Sequence, residues 1–341
     1  MEGKVKHMNM TLIKRNTLLV AICLALSLSW LGCKKSEPII KAGPPPSGPV
    51  ELKLKWPVGS RMVQNLDLKQ TSETQVPGMP NPMKQDMTMG QRYARSVLKE
   101  LPDGGHEVEM EFLSTRMSVT GGNQTAMAFD SSDKSSKTNP LAATFQKLAG
   151  AKVQFFLDAS NEVQRVEGVD EFQQRMASGA RNDPMGILKN LFSKDTFRNW
   201  MRENRSLPNK PVQPGDTWPV QMEIAMGELG TLLMDHTYTF KSWERRNEHN
   251  CARIEFDGTM KSMPGQNLKV SGMNVSIEGG KSSGETWFDL EQGMFVEATM
   301  NQDMTLVITV PNQGRGGPAG QNMTVTTTLN QNITVKVEPA N

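Results

Sequence analysis

The chain has 341 residues, of which 37% are hydrophobic, 22% charged and only 6% aromatic, and its formal net charge is +2. Within residues 1–32, Lys4, Lys6, Lys14 and Arg15 face only Glu2, so the rest of the chain stands at −1. That near-neutral remainder excludes a nucleic-acid binder working through a global basic field, and it carries no strongly acidic tail.

Lys14 and Arg15 open the first element, an apolar run "LLVAICLALSLSWLGC" that ends at Cys33. A basic start, a short apolar stretch and a small residue before the cut form the pattern of a secretory signal, here residues 1–32. The stretch is shorter than the roughly 20 residues of a membrane-spanning helix. Its end, "WLGC", resembles the bacterial lipobox: Gly32 and Cys33 match, whereas Trp30 and Leu31 depart from it. The resemblance implies that Cys33 is lipidated and sits at a membrane, each buried methylene contributing about 0.8 kcal/mol. Residues 33–50 continue as a Pro-rich tether, which at about 3.1 Å per residue reaches on the order of 50 Å. Lys34 and Lys35 replace the aspartate that related lipoproteins use for inner-membrane retention, which implies an outer-membrane leaflet facing the periplasm. Beyond Cys33 only Cys251 remains, so packing rather than disulfides must hold the fold.

From residue 51 the dominant signal is alternation with period two, which predicts antiparallel sheet with one buried face. "ELKLKW" (51–56) reads as a first strand with Leu52, Leu54 and Trp56 inward. Methionine is abundant, 24 residues, and Met79, Met83, Met87 and Met89 crowd one stretch. Soft thioethers are suited to Cu(I), which makes these four copper candidates. Met83, Met87 and Met89 also share parity with Tyr93 and Val97, as core-facing residues of a strand would, and the packing reading is preferred. "HEVEMEF" (106–112) alternates again after the turn "LPDGG". The first β unit is thus placed at 51–167.

Helical signals interrupt it. Asn139 and Pro140 open a short helix near 140–149 with Leu141, Phe145 and Leu148 on one stripe. Within a connector at 168–210, Asp183 and Pro184 start a helix burying Ile187, Leu188 and Leu191, and Ser193 caps one that turns Phe197, Trp200 and Met201 inward.

The second β unit is placed at 211–338. His236 shares a face with Met234, Tyr238 and Phe240, a half-buried core position, whereas His106 and His249 lie at turn edges. None has a partner at metal-ligand spacing, so no metal or cofactor is expected. Nucleophilic catalysis would require His236 or His249 to meet a serine and a carboxylate in a cleft. Cys251 shares parity with Arg253 and Glu255 and is expected to face solvent. "GKSSG" (280–284) matches G-x-S-x-G, but the pattern needs a strand–turn–helix around Ser282, and strands flank it on both sides. From 294 to 310 the even positions run Met, Val, Ala, Met, Gln, Met, Leu, Ile, Val, a strand long enough to need a bulge. A Gly-rich tip, 311–320, leads to a last strand.

Four segments recur in order: "PVGSRM" with "PGDTWP", "YARSVLKEL" with "YTFKSWERR", "VEMEF" with "ARIEF", and "QFFLDASNEV" with "TWFDLEQGMF". The shared order points to duplication. On "LKWPVGS", "FFLDASNEVQRVEG" and "LPNKPVQPGDTWPV" the chain resembles a family of bacterial envelope lipoproteins classed only as a domain of unknown function. The resemblance implies location and architecture and no reaction. The expected fold is mainly β (α+β): two similar antiparallel curved sheets or half-barrels, with a helical segment between and against them. The expected function is a non-enzymatic, lipid-anchored envelope protein that binds an apolar ligand or an envelope protein partner; the alternative is a structural or assembly lipoprotein without a small-molecule ligand.

Overall fold

The computed structural model describes residues 44–121, 124–133, 140–177, 192–225, 231–246, 248–265, 268–270, 273–310 and 322–340. The signal-like run, Cys33, the Asn139 cap, the helix expected from Asp183 and the 311–320 tip lie outside the described residues. In chain order the elements are β1 (Arg61–Gln75), β2 (Met83–Glu100), β3 (His106–Gly121), β4 (Gln124–Asp130), α1 (Pro140–Leu148), β5 (Lys152–Leu157), β6 (Val163–Glu167), α2 (Val169–Ala177) and α3 (Lys194–Trp200). A 3-10 turn (Glu203–Ser206) follows, then β7 (Thr217–Ala225), β8 (Thr231–Arg246), β9 (His249–Ser262), β10 (Leu268–Val270), β11 (Met273–Asp289), β12 (Met294–Val310) and β13 (Met323–Pro339). The fold is mainly β and antiparallel, as the alternation predicts.

The two strand series are not separate sheets. They form one 13-stranded sheet in the order β6-β5-β3-β2-β1-β13-β12-β11-β9-β8-β7, with β4 on β3 and β10 on β11. The four recurring segments fall on equivalent places, β1 with β7, β2 with β8, β3 with β9, and the β5–β6 hairpin with β11–β12. Local chemistry repeats with them. Gly59 and Gly215, both at positive φ, donate to the carbonyls of Val97 and Phe240 at 2.8 and 2.7 Å. Each hairpin turns on an aspartate: Asp158 accepts from the amides of Ser160 and Glu162, and Asp289 from those of Glu291 and Gln292. One extra residue follows each turn, Gln164 between the partners of Phe156 and Leu157, and Val296 between those of Trp287 and Phe288. This second bulge answers the length of the 294–310 strand. Pairing of β1 with β13 over 14 residue pairs, Met62↔Pro339 to Gln75↔Thr326, fuses the halves.

Residues 51–56 keep the inward parity of Leu52 and Trp56, both buried, but do not join the ladder. They form a strap across the hairpin turns. The Lys55 amide donates to the Gly293 carbonyl at 2.9 Å, and Trp56 Nε1 donates to Asn161 Oδ1 at 2.6 Å. Satisfying those turn groups outcompetes sheet pairing for so short a segment.

The sheet path has two ends, β6 and β7, and the connector spans them. α3, capped by Ser193 Oγ on the Thr196 amide, packs against both edge strands, and Trp218 Nε1 of β7 donates to the Ser206 carbonyl at 3.0 Å. Phe172 of α2, Phe192, and Phe197 and Trp200 of α3 interlock with Tyr93, Phe112 and Phe155 of the sheet, ring centroids 4.7–6.5 Å apart. This aromatic plug fills the inner face of the first half. A buried ion pair, Arg95 Nη1 to Glu203 Oε1 at 2.5 Å, ties the 3-10 turn to β2, with Trp56 lying under the guanidinium.

Inner-face residues align in rows across the strands. One row runs Trp218, Tyr238, Phe256, Gly284, Met300, Ile333, Leu68, Met89, Met117 and Phe129. The glycines of "GKSSG" are spacers in such rows: a Cβ at Gly280 would strike Met260, and one at Gly284 would strike the Phe256 ring and the Thr299 carbonyl. Gly284→Val should therefore lower stability by about 1–3 kcal/mol, read as a lower urea midpoint at unchanged slope.

Candidate functional site

Where the aromatic plug ends, the inner face of the second half meets the 3-10 turn around a cavity of about 90 Å³. Met222 and Ile224 of β7, Met234, His236 and Tyr238 of β8, Phe256 of β9, Thr286 of β11, and Phe295, Ala298 and Met300 of β12 line it. Ile333 and Val335 of β13 close one side, and Glu203 and Ser206 of the connector the other. Sites holding drug-sized ligands measure roughly 300–1,000 Å³, so an occupant of that size must displace part of the lining. Met222, Met234 and Met300 are the side chains suited to move, being unbranched and flexible.

Beside the cavity, the row next to the aromatic one is polar. It runs Val220, His236, Gly258, Ser282, Gln302, Gln331, Gln70 and Met87 in register. His236 Nε2 and Ser282 Oγ approach to 2.5 Å, reaching across Gly258, where a Cβ would collide with the imidazole. Gln331 Nε2 donates to Gln70 Oε1 at 2.6 Å, and Gln302 Nε2 lies 3.0 Å from Met300 Sδ. All five polar side chains are buried, yet among the described residues His236 Nδ1, Gln302 Oε1 and Gln331 Oε1 have no partner. Each such orphan costs about 1–3 kcal/mol.

His236 is more deeply placed than the half-buried position expected, at 2% exposure. Burial pushes its pKa down, against the opposing pull of Asp235 and Asp257, which lie on the solvent face. The catalytic requirement is divided between two histidines. Among the described residues His236 meets a serine but no carboxylate, whereas His249 Nδ1 meets Glu291 at 3.1 Å and Asp289 at 3.5 Å but no serine. Ser282 stands mid-strand rather than on a strained turn, and its flanking pairs to Gly258 and Gln302 are ladder positions.

Cys251 corrects its sequence reading. It is fully buried, set in register between Glu244 and Asp289, and burial pushes its thiol up to about 12. Parity with Arg253 fails to expose it because both faces are covered at that end of the sheet, where Asn250, Cys251 and Ala252 are all buried. Of the copper candidates, Met87 and Met89 are buried in the rows between Gln70 and Val119 and between Leu68 and Met117; Met83 begins the same strand face and Met79 lies in the preceding turn, both half-buried. Among the described residues no group of three or more His, Cys, Asp or Glu could hold a metal ion. A wider groove of about 540 Å³ on the outer face is polar, but its charges engage one another, Arg116 with Asp67 and Asn65 with Arg92 and Glu338.

The sequence reading passed over the glutamines. Their signal was present: Gln302 sits between Met300 and Met304, Gln70 between Leu68 and Ser72, and Gln331 between Leu329 and Ile333, each a polar residue on an inward parity.

Residues 103–295 match the model of a family of unknown function, DUF6263, and the chain belongs to that family. No curated protein matches it. Among solved structures it is similar to one titled for lipid–protein interactions in lipovitellin, at 12% identity and TM-score 0.41 over 84% of this chain and 26% of that one. It therefore spans about a quarter of the lipovitellin chain. It is also similar to DynF from the dynemicin biosynthesis pathway of Micromonospora chersina (11% identity, 88% and 90% of the chains, TM-score 0.21). A third is the COG4313 outer membrane channel from Pseudomonas putida F1 (8% identity, 86% and 100%, TM-score 0.21).

The lowered pKa of His236 makes stability depend on pH. Between its depressed folded value and the ordinary 6.5, the unfolded chain binds more protons, so stability rises with pH there and is lost as pH falls below about 6.5. Thermal midpoints taken from about pH 7.5 to 5 should fall less steeply for His236→Gln than for the wild type. Parallel curves would show that the buried imidazole does not titrate on unfolding.

Proposed function

We propose that this member of the DUF6263 family is a lipid-anchored protein of the bacterial cell envelope, without catalytic activity, that holds an apolar ligand between the second half of its sheet and the connector. In this reading the export signal is removed, Cys33 carries the acyl chains, and residues 34–50 set the sheet off from an outer-membrane leaflet on the periplasmic side. The observation that carries the ligand assignment is the methionine- and aromatic-lined cavity left open where the aromatic plug stops. Its three methionines give it a wall that can rearrange around hydrocarbon.

The alternative, an assembly component that docks proteins through an apolar patch, finds less support. Among the described residues the large apolar side chains left exposed are Val58 and Leu98, too few for such a patch. The edge strands offer little template for pairing either: β6 is five residues long, and the connector packs over both edges.

The test is mass spectrometry of organic extracts from the full chain carrying Cys33→Ser and exported to the envelope. A stoichiometric apolar molecule is expected to co-purify, and Met222→Glu or Met300→Glu should reduce it at least tenfold with little change in thermal midpoint, because both residues are only half-buried. Wild-type chain should fractionate with membranes and the Cys33→Ser variant should not. An empty wild-type protein would overturn the ligand assignment.

A further inference from the structure

The polar row asks for an explanation that packing does not provide. Gln70, Gln331, Gln302, Ser282 and His236 stand in one cross-strand row, with Gly258 between the last two, each of the five at 4% exposure or less. Apolar rows enclose them on both sides, Tyr238–Phe256–Met300–Ile333–Leu68 on one and Met234–Met260–Met304–Leu329 on the other. Leucine or methionine at these sites would continue the pattern without orphaned atoms. The row instead presents His236 Nδ1, Gln302 Oε1 and Gln331 Oε1 without partners in a low-dielectric interior, where unmatched polar groups are disfavoured.

The row opens on the cavity. His236 belongs to the cavity wall, as does Met300, whose sulfur is the neighbour of the Gln302 amide. Of the residues bearing unpartnered atoms, His236 lines that space, which is bounded mainly by hydrocarbon, while Gln302 and Gln331 stand farther along the row, outside its lining. Their chemistry is uncharged: amide oxygens accept, amide nitrogens donate, and the imidazole does one or the other according to its tautomer. Among the described lining residues the one carboxylate is Glu203, already paired with Arg95, and no cation is available to an anionic head. A carboxylate or phosphate buried there would be desolvated without compensation.

We infer that the Gln70–Gln331–Gln302–Ser282–His236 row is a hydrogen-bonding subsite for the polar end of a neutral lipid, one bearing free hydroxyl groups, whose hydrocarbon lies in the adjacent cavity. This rests on the proposed apolar-ligand function and narrows its ligand class. A hydroxyl head donates to the orphaned amide oxygens and brings no charge. Oxygen-free hydrocarbon would leave them unmade, and a fatty acid would bring a charge with nothing to answer it.

The test offers the full chain carrying Cys33→Ser three probes in equal amounts: monooleoylglycerol, oleate and 1-octadecene. The wild type should retain monooleoylglycerol at least tenfold over each of the others. In the double variant Gln302→Met/Gln331→Met the preference for monooleoylglycerol over octadecene should fall at least tenfold. Should that variant fail to fold by its thermal transition, Ser282→Ala, which removes the hydroxyl holding His236, must shift the preference the same way. An unchanged preference in a folded variant, or oleate retained as well as monooleoylglycerol, overturns the subsite while leaving the cavity assignment standing. Retention of none of the probes overturns the cavity assignment and the subsite together.

Discussion

Everything in this molecule depends on the first strand pairing with the last. β1 and β13 are about 260 residues apart in sequence and share 14 residue pairs. Closing a loop that long is entropically unfavourable, though the cost grows only slowly with length. The return is large: without this ladder the two halves would be two open sheets, each with an unprotected central edge. With it, long rows of side chains run unbroken across the inner face, and Gln70 of the first half comes against Gln331 of the second.

The two halves match closely in hydrogen-bonding detail yet are unequal in what they enclose. Paired glycine turns, paired aspartate turns and paired bulges repeat from one half to the other. The inner face of the first half is filled by Phe172, Phe192, Phe197 and Trp200, drawn from the connector. Among the described residues the second half receives the end of α3, which reaches β7, and the 3-10 turn, anchored through Glu203 to Arg95 and through Ser206 to Trp218. The buried ion pair ties that turn to β2, and the cavity lies between the turn and the inner face of β7, β8, β9, β11, β12 and β13.

Much of this architecture can be read locally. Alternation identifies the inward faces of β1, β12 and β13, Ser193 announces the helix it caps, and the order of four short segments matches equivalent places in the two halves. The failures are equally particular. Residues 51–56 alternate like a strand but tie hairpin turns together, because partners for their backbone came from turns far along the chain. Cys251 has a solvent-side parity, yet cover on both faces of the sheet buries it. "GKSSG" imitates a nucleophile motif while its glycines make room for Met260 and Phe256 from the neighbouring strand.

The sequence by itself determined which side chains on each strand turn inward, since a period of two is a property of the extended backbone and needs no neighbour. It also determined the turns, the helix cap and the near-neutral charge. Only the tertiary structure decided that Gln70, Gln302, Gln331, Ser282 and His236 stand in one row and that His236 and Ser282 touch across Gly258. Cross-strand register is set by pairings between distant segments, and a polar residue on an inward parity acquires its meaning only when those pairings show what lies beside it.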